Sequence, residues 1–238
     1  RIKAVSNKGY CMSADNDIVS ADSIKKYLKV PIEEILVYKT VTSTNDLAKQ
    51  KAINSAPEGT VIVAREQTAG RGRKGRSFYS PSSTGVYISV LLRPELTAEK
   101  TLYITTAAAA AVAKAIEKVS GKEAQIKWVN DIFVDGKKVC GILTEGAIDF
   151  ETGKMQYAVL GIGVNIKKPE SDFPSEIQNI AGSVFDTTDE EVSSKIVAEI
   201  LNNFMAYYQE LENKPFYDEY KKIMFLIGKQ LTVYSGKE

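Results

Sequence analysis

A chain of 238 residues, 44% hydrophobic and 26% charged, has the make-up of a folded globular protein and excludes a disordered or collagen-like chain. Its 31 Lys+Arg against 30 Asp+Glu leave a net charge of +1, without the basic excess of a non-specific nucleic-acid binder. It contains no histidine, so a histidine general base, a histidine-dependent triad and histidine-ligated zinc are excluded.

No run approaches the ~18 consecutive apolar residues of a membrane span, and nothing reads as a signal peptide. The two cysteines, Cys11 and Cys140, are too few for a disulfide framework. The expectation is a cytoplasmic chain with buried, reduced thiols. The chain opens on Arg1, and residues 1–20 read as short strands and turns with no core of their own, as in a cut domain. A short helix is expected over 23–28, then a break at Pro31 and a strand over 34–40. Ser43-Thr44-Asn45-Asp46 supplies an N-cap ahead of Leu47, Ala48 and Ile53, the spacing of a short helix that Pro57 and Gly59 end.

The β-branched run 60–64 and the apolar run 85–92 predict buried strands, and the alanine-rich stretch 101–119 predicts one long packed helix. Strands are expected over 125–128, 132–134 and 138–145, with Asp135-Gly136 as a hairpin turn. Another follows over 157–166, where Gly161 and Gly163 suit close approach by a ligand or a neighbouring element. Val192, Ile196, Ile200, Phe204 and Tyr208 mark the buried stripe of a helix over 190–211, and a further helix begins at 216–223. A strand over 228–234 closes the prediction, which sums to an α/β or α+β fold with a mixed sheet flanked by helices.

The sharpest chemical feature is Gly70-Arg71-Gly72-Arg73-Lys74-Gly75-Arg76, directly after a buried strand. Its glycines let backbone N–H groups approach an anion, and its arginines offer forked donors that match phosphate or carboxylate oxygens. It is neither a Walker A loop nor a dinucleotide fingerprint, since it leads into the Pro-marked stretch 77–81 and not a helix. By itself it reads as a phosphate site, a nucleic-acid contact or a solvated basic loop. Trp128 and the Asn130-Asp131 turn read first as core and turn residues, and Lys138 as a strand-edge charge.

Taken in order, Ser43-Thr44-Asn45, EQTAGRGRKGR (66–76), KWVND (127–131), KVCGILTE (138–145) and GIGVNI (161–166) resemble bacterial biotin protein ligases of the biotin operon repressor type, over roughly 34–234. The resemblance implies a catalytic domain similar to class II aminoacyl-tRNA synthetases over 21–225. It also implies a remnant of an N-terminal winged helix-turn-helix over 1–20, with a wing at 8–19, and the start of a C-terminal SH3-like domain over 226–238. It implies condensation of biotin with ATP to biotinyl-5′-adenylate, then transfer to a lysine of a biotin carboxyl carrier protein. Mg2+ would accompany ATP, with no metal tightly bound.

By the same resemblance Ser43, Thr44, Asn45 and Gln67 read the ureido group of biotin, Gly70, Arg71, Gly72 and Arg73 close over the adenylate, and Lys138 faces the carboxylate and phosphate. Gly141, Ile142 and Leu143 line the biotin pocket, while Phe78, Asn130, Asp131 and Asn165 serve the nucleotide side with Arg71 and Arg73. Lys138, Arg71, Arg73 and Asp131 are the catalytic set, and Asp131 is the candidate to take the proton of the acceptor lysine. The loop is expected to order on ligand binding. Two positions depart from the family pattern: Val129 stands where proline is common, and Phe78 where many members have tryptophan. DNA contact is implied only for a chain with a complete winged helix, membrane contact not at all, and dimerisation through the sheet is implied. The competing readings are a lipoate or octanoate ligase, against which the amides and hydroxyls weigh, and a nucleic-acid module using the Gly/Arg loop.

Overall fold

The computed structural model describes residues 2–5, 9–12, 19–97, 100–149, 151–188 and 191–232. A hairpin of β1 (Ile2–Val5) and β2 (Gly9–Met12) stands apart from the main sheet. The expected wing over 8–19 falls largely outside the described residues.

The main sheet has seven strands: β3 (Ile35–Tyr38), β4 (Val61–Ala64), β5 (Gly85–Leu92), β6 (Gln125–Lys127), β7 (Asp131–Val134), β8 (Lys137–Ile148) and β9 (Met155–Asn165). Their order is β3-β4-β5-β9-β8-β7-β6, with β3 and β4 parallel and every other pair antiparallel. This is the expected mixed sheet. A parallel pair needs a crossover, and α2 (Thr44–Ile53) provides it. The Asp135-Gly136 turn has φ of +51° and +72°, the left-handed pair that a two-residue hairpin between β7 and β8 demands.

Strand alternation gives the sheet two different faces. Val86, Ile88, Val90 and Leu92 of β5, Leu160, Ile162 and Val164 of β9, and Cys140 and Ile142 of β8 enter the main core with α3 (Thr101–Ser120) and α4 (Val192–Gln209). In α3, Ala107 to Ala111 are fully buried, as are Ile196, Ile200 and Phe204 of α4. Each large side chain so buried contributes roughly 1.5–3 kcal/mol of transfer free energy. The short α1 (Ala21–Lys25) packs on α4 and α5 (Tyr217–Ile223) on α3. On the opposite face, Ala48 and Ala52 of α2 meet Ile62, Leu91 and Val159 in a small second cluster.

Three expectations need correcting. Residues 230–232 form no strand, because no described strand pairs with them; 233 and 234 lie outside the described residues. Ile53, assigned to the apolar face of its helix, is 72% exposed, since α2 buries Ala48 and Ala52 instead. Trp128 is 63% exposed, because it stands in the turn between β6 and β7 beside the cleft. Among the described residues, no helix is long and apolar enough to cross a membrane.

Candidate active site

A cleft of about 370 Å3 opens on the α2 face of the sheet, within the range of small-molecule sites. Its floor follows from strand register. The row Tyr87, Gly163, Gly141 and the row Ser89, Gly161, Leu143 run across β5, β9 and β8, each with glycine in the middle. The missing side chains make room: a Cβ at Gly161 would sit 2.2 Å from Asn45 Oδ1, and one at Gly163 would sit 2.4 Å from the Phe78 ring. The glycines therefore seat an amide and an aromatic ring against the sheet.

At one end of the cleft lies the start of α2. Ser43 is its N-cap, accepting from Asp46 N–H, and Ser43, Thr44 and Asn45 are all under 5% exposed. The Thr44 backbone N–H and hydroxyl both donate to Gln67 Oε1, at 2.9 and 3.1 Å, which fixes the amide so that Nε2 donates to Ser80 Oγ at 3.0 Å. An amide has two N–H donors, so Gln67 retains one and the Ser43 hydroxyl keeps its proton to donate. Asn45 is differently employed. Its Oδ1 accepts from Ser89 Oγ at 2.6 Å, and its Nδ2 donates to Glu145 at 2.8 Å and to Leu143 O at 3.4 Å. Those bonds spend both of its donors on the protein.

The Gly/Arg loop is hydrogen-bonded to itself, with Gly72 N–H donating to Arg76 O, Phe78 N–H donating to Gly70 O, and a single 3-10 turn at Arg73–Gly75. It spans the cleft and is pinned on both sides. Arg71 donates to Asp46 at 2.7 Å and Glu145 at 2.9 Å on the α2 side. Arg73 donates to Asn130 Oδ1 at 3.2 Å on the side of the β6–β7 turn. Beyond it, Lys138 Nζ lies 2.6 Å from Asp131 Oδ1, both about a quarter exposed. Asn130 is itself anchored, donating to Ile142 O at 2.7 Å.

Glu145 also accepts from Lys49 at 2.7 Å. Burial pushes its carboxyl up, but hydrogen bonds from Lys49 and Asn45 and the charges of Lys49 and Arg71 outweigh this and hold it below the ordinary glutamate value. Cys140, buried on the core face, has its thiol pushed far up by desolvation, which removes it as a nucleophile. Val129, the first departure, is buried, and its carbonyl accepts from the Tyr220 hydroxyl.

The sequence-derived set thus divides. Ser43, Thr44, Asn45, Gln67, Arg71, Gly72, Arg73, Phe78, Asn130, Asp131, Lys138, Gly141, Ile142 and Leu143 converge on one cleft. Ile142 reaches it through its backbone alone, since its side chain is in the core. Gly70 lies just beneath, where a Cβ would strike Phe78 O and Ser80 Oγ. Phe78 packs on the glycine floor and edge-on to Tyr87. Asn165 is not brought to the cleft lining; its Nδ2 donates to Gly182 O at 2.9 Å. Sequence reasoning missed Ser89, Ser80, Asp46, Lys49 and Glu145. Ser89 was detectable as the one aliphatic hydroxyl inside the apolar run 85–92, and Glu145 as the next step of the alternation through Gly141 and Leu143.

The α2 end of the cleft therefore offers neutral donors and acceptors with Arg71 beside them, and the β6–β7 end offers Arg73 and Lys138. Such a site can hold an uncharged polar head with an anionic tail. Among the described residues, no three His, Cys, Asp or Glu side chains gather as a metal cage.

The model of the biotin/lipoate A/B protein ligase family matches residues 37–165. A bifunctional ligase/repressor of Bacillus subtilis is 36% identical over 212 residues, 88% of this chain and 65% of that protein. A biotin–[acetyl-CoA-carboxylase] ligase of Mycobacterium tuberculosis is 31% identical over 155 residues, 63% of this chain and 54% of that one. The solved biotin protein ligase from Aquifex aeolicus in complex with biotin and ATP is 27% identical with a TM-score of 0.68, covering 83% of this chain and 81% of that one. The chain spans 65% of the length of the Bacillus relative.

Proposed function

The chain belongs to the biotin/lipoate A/B protein ligase family, and from that premise we propose that it is a biotin protein ligase. It joins biotin to ATP as biotinyl-5′-adenylate and transfers biotin to a lysine of a carboxyl carrier protein. The observation that carries this reading is the adjacency of the neutral hydroxyl and amide set, Ser43 with Gln67, to the cations Arg71, Arg73 and Lys138 in one cleft. A ureido head needs donors and acceptors without charge; a carboxylate attacking a phosphate needs cations. Gly141 and Leu143 supply the apolar floor between them.

In this reading the carboxylate of biotin attacks the α-phosphorus of ATP, forming an acyl–phosphate bond as the bond to pyrophosphate breaks. Two anions must meet. Lys138, moved from Asp131, and the arginines offset their repulsion, and the step needs no general base, which suits a chain without histidine. Holding both substrates in line can remove about 7 kcal/mol or more of the barrier. Mg2+ would enter on the nucleotide, with Asn130 and Asp131 the oxygen donors on that side, and supplies charge neutralisation there. The loop excludes water from the mixed anhydride until the acceptor amine arrives. The amine then attacks the acyl carbon, forming the amide as the acyl–phosphate bond breaks and AMP leaves, and Asp131, once free of Lys138, takes that amine's proton. By the family resemblance Phe78 and Asn165 serve the nucleotide side; the contacts of Phe78 with Gly141 and Gly163 favour the biotin floor.

The chemistry belongs in the cytoplasm, with ATP. The name of the Bacillus relative includes repression; for this chain DNA contact is assigned only to a form with a complete winged helix, and dimerisation through the sheet stays part of the same reading. Incubation with Mg2+-ATP and either biotin or lipoate, followed by mass spectrometry, tests the reading. Biotinyl-adenylate alone is the expected product; lipoyl-adenylate in its place would reassign the pocket, and the absence of both adenylates would overturn the ligase reading.

A further inference from the structure

We propose that Glu145 is a positioning residue that, with Asp46, docks the Arg71 guanidinium of the Gly/Arg loop onto the recognition end of α2. The proposal deepens the ligase reading above, in which Arg71 faces the substrate anions.

Glu145 touches three parts of the site with one carboxylate. One oxygen accepts from Asn45 Nδ2 at 2.8 Å; the other accepts from Lys49 at 2.7 Å and from Arg71 at 2.9 Å. Its side chain is 18% exposed, against 38% for Asp46 and 46% for Arg71, so it is the inner post of the clamp and Asp46 the outer one. Charge-assisted hydrogen bonds of this length are the strong class, and partial burial protects the inner one from screening.

The placement has two effects. A guanidinium carries five N–H donors; the two carboxylates engage one on each terminal nitrogen, and the remainder stay available to an anion in the cleft. The arginine is thereby aimed before the anion arrives. In addition, Asn45 is held between Glu145, Ser89 and Leu143 over Gly161, so one carboxylate orients both the buried amide and the loop cation. Asn45 thereby becomes a strut linking the floor to the clamp.

An amide in place of the carboxylate cannot do this work. Glutamine at 145 has one oxygen and one NH2 group: facing Asn45 with its oxygen turns donors toward Lys49 and Arg71, and the reverse turns donors toward Asn45. Glu145→Gln therefore keeps the volume and breaks the clamp.

The test is limited trypsin digestion of the full chain, with intact-mass readout, because the loop itself offers cleavage after Arg71, Arg73, Lys74 and Arg76. In Glu145→Gln, cleavage after Arg71 should accelerate about tenfold while sites outside the loop keep their wild-type rates, the pattern of local opening. In steady-state adenylate formation, kcat should fall about tenfold with KM for biotin within about threefold, since an aiming defect acts on the transition state. Asp46→Asn should show the same pattern at a smaller factor, and it decides the matter if Glu145→Gln does not fold. Wild-type cleavage after Arg71 in both variants, or equal acceleration at every site, would overturn the proposal. A wild-type chain that makes no biotinyl-adenylate would sink the ligase reading instead, and the digestion would still decide the clamp.

Discussion

The two faces of the central sheet are made by the same strands and differ in almost every physical respect. Toward α3 and α4 most of the alternate residues of β5 and β9, with Cys140 and Ile142 of β8, are apolar and buried, and small changes of volume are felt as stability. Toward α2 and the loop, Leu91 and Val159 form a small apolar cluster, but around the cleft the intervening residues are Tyr87, Ser89, Gly161, Gly163, Gly141, Leu143 and Glu145, and the order there comes largely from hydrogen bonds and ion pairs. The contrast teaches that stability and chemistry have been separated by a period of two.

The separation can be attacked from either side. The largest effect expected is for Phe204→Ala on the core face: a loss of about 3–5 kcal/mol in urea unfolding, with KM for biotin of the folded protein unchanged. Gly163→Ala on the other face forces the Phe78 ring off the floor; it should lose about 1–3 kcal/mol and, unlike the core variant, adenylate formation even when folded. If its activity per folded molecule is normal, the two faces are not functionally distinct. Ser89→Ala leaves the buried Asn45 oxygen without its donor and should lose about 1–2 kcal/mol in the same unfolding experiment.

Acid should discriminate the faces without mutation. Glu145 is held below its unfolded value, so its share of stability is present above the ordinary glutamate pKa of about 4.3 and is lost as pH falls through the folded value. Melting curves of wild type and Glu145→Gln should therefore converge toward low pH, with Lys49, Asp46 and Arg71 the charged groups facing the carboxylate. The smallest effect belongs to neither face: Ile53→Lys, at a 72% exposed site, should stay within about 0.5 kcal/mol of wild type.

The core face was legible in the sequence because it is written in local signals. A β-branched run, an alanine-rich helix and an Asp-Gly turn each specify an element within a few residues, and β5 was predicted to its ends. The cleft was legible only where polar residues interrupt a pattern or resemble a family motif, as at 43–45 and 70–76. Glu145 escaped because its role depends on α2 and the loop meeting β8, a contact between residues 74 and 100 positions apart. Trp128 was misread because burial of a tryptophan is a tendency of composition, while its turn location is a matter of topology. Asn165 was grouped with the nucleotide side by the family resemblance, and nothing local in the sequence signalled that its amide donates to Gly182, 17 residues on.

The capping of α2 by Ser43 constrains how this pocket can change. The same hydroxyl that closes the helix faces the cleft, so a substitution there alters helix stability and ligand preference together. In the ligase reading, drift toward a new substrate is thereby channelled away from the residues assigned to the polar head. It runs instead through Leu143 and Phe78, which line the same space and cap no helix. The geometry of the first helical turn acts as a brake on evolutionary retuning of specificity.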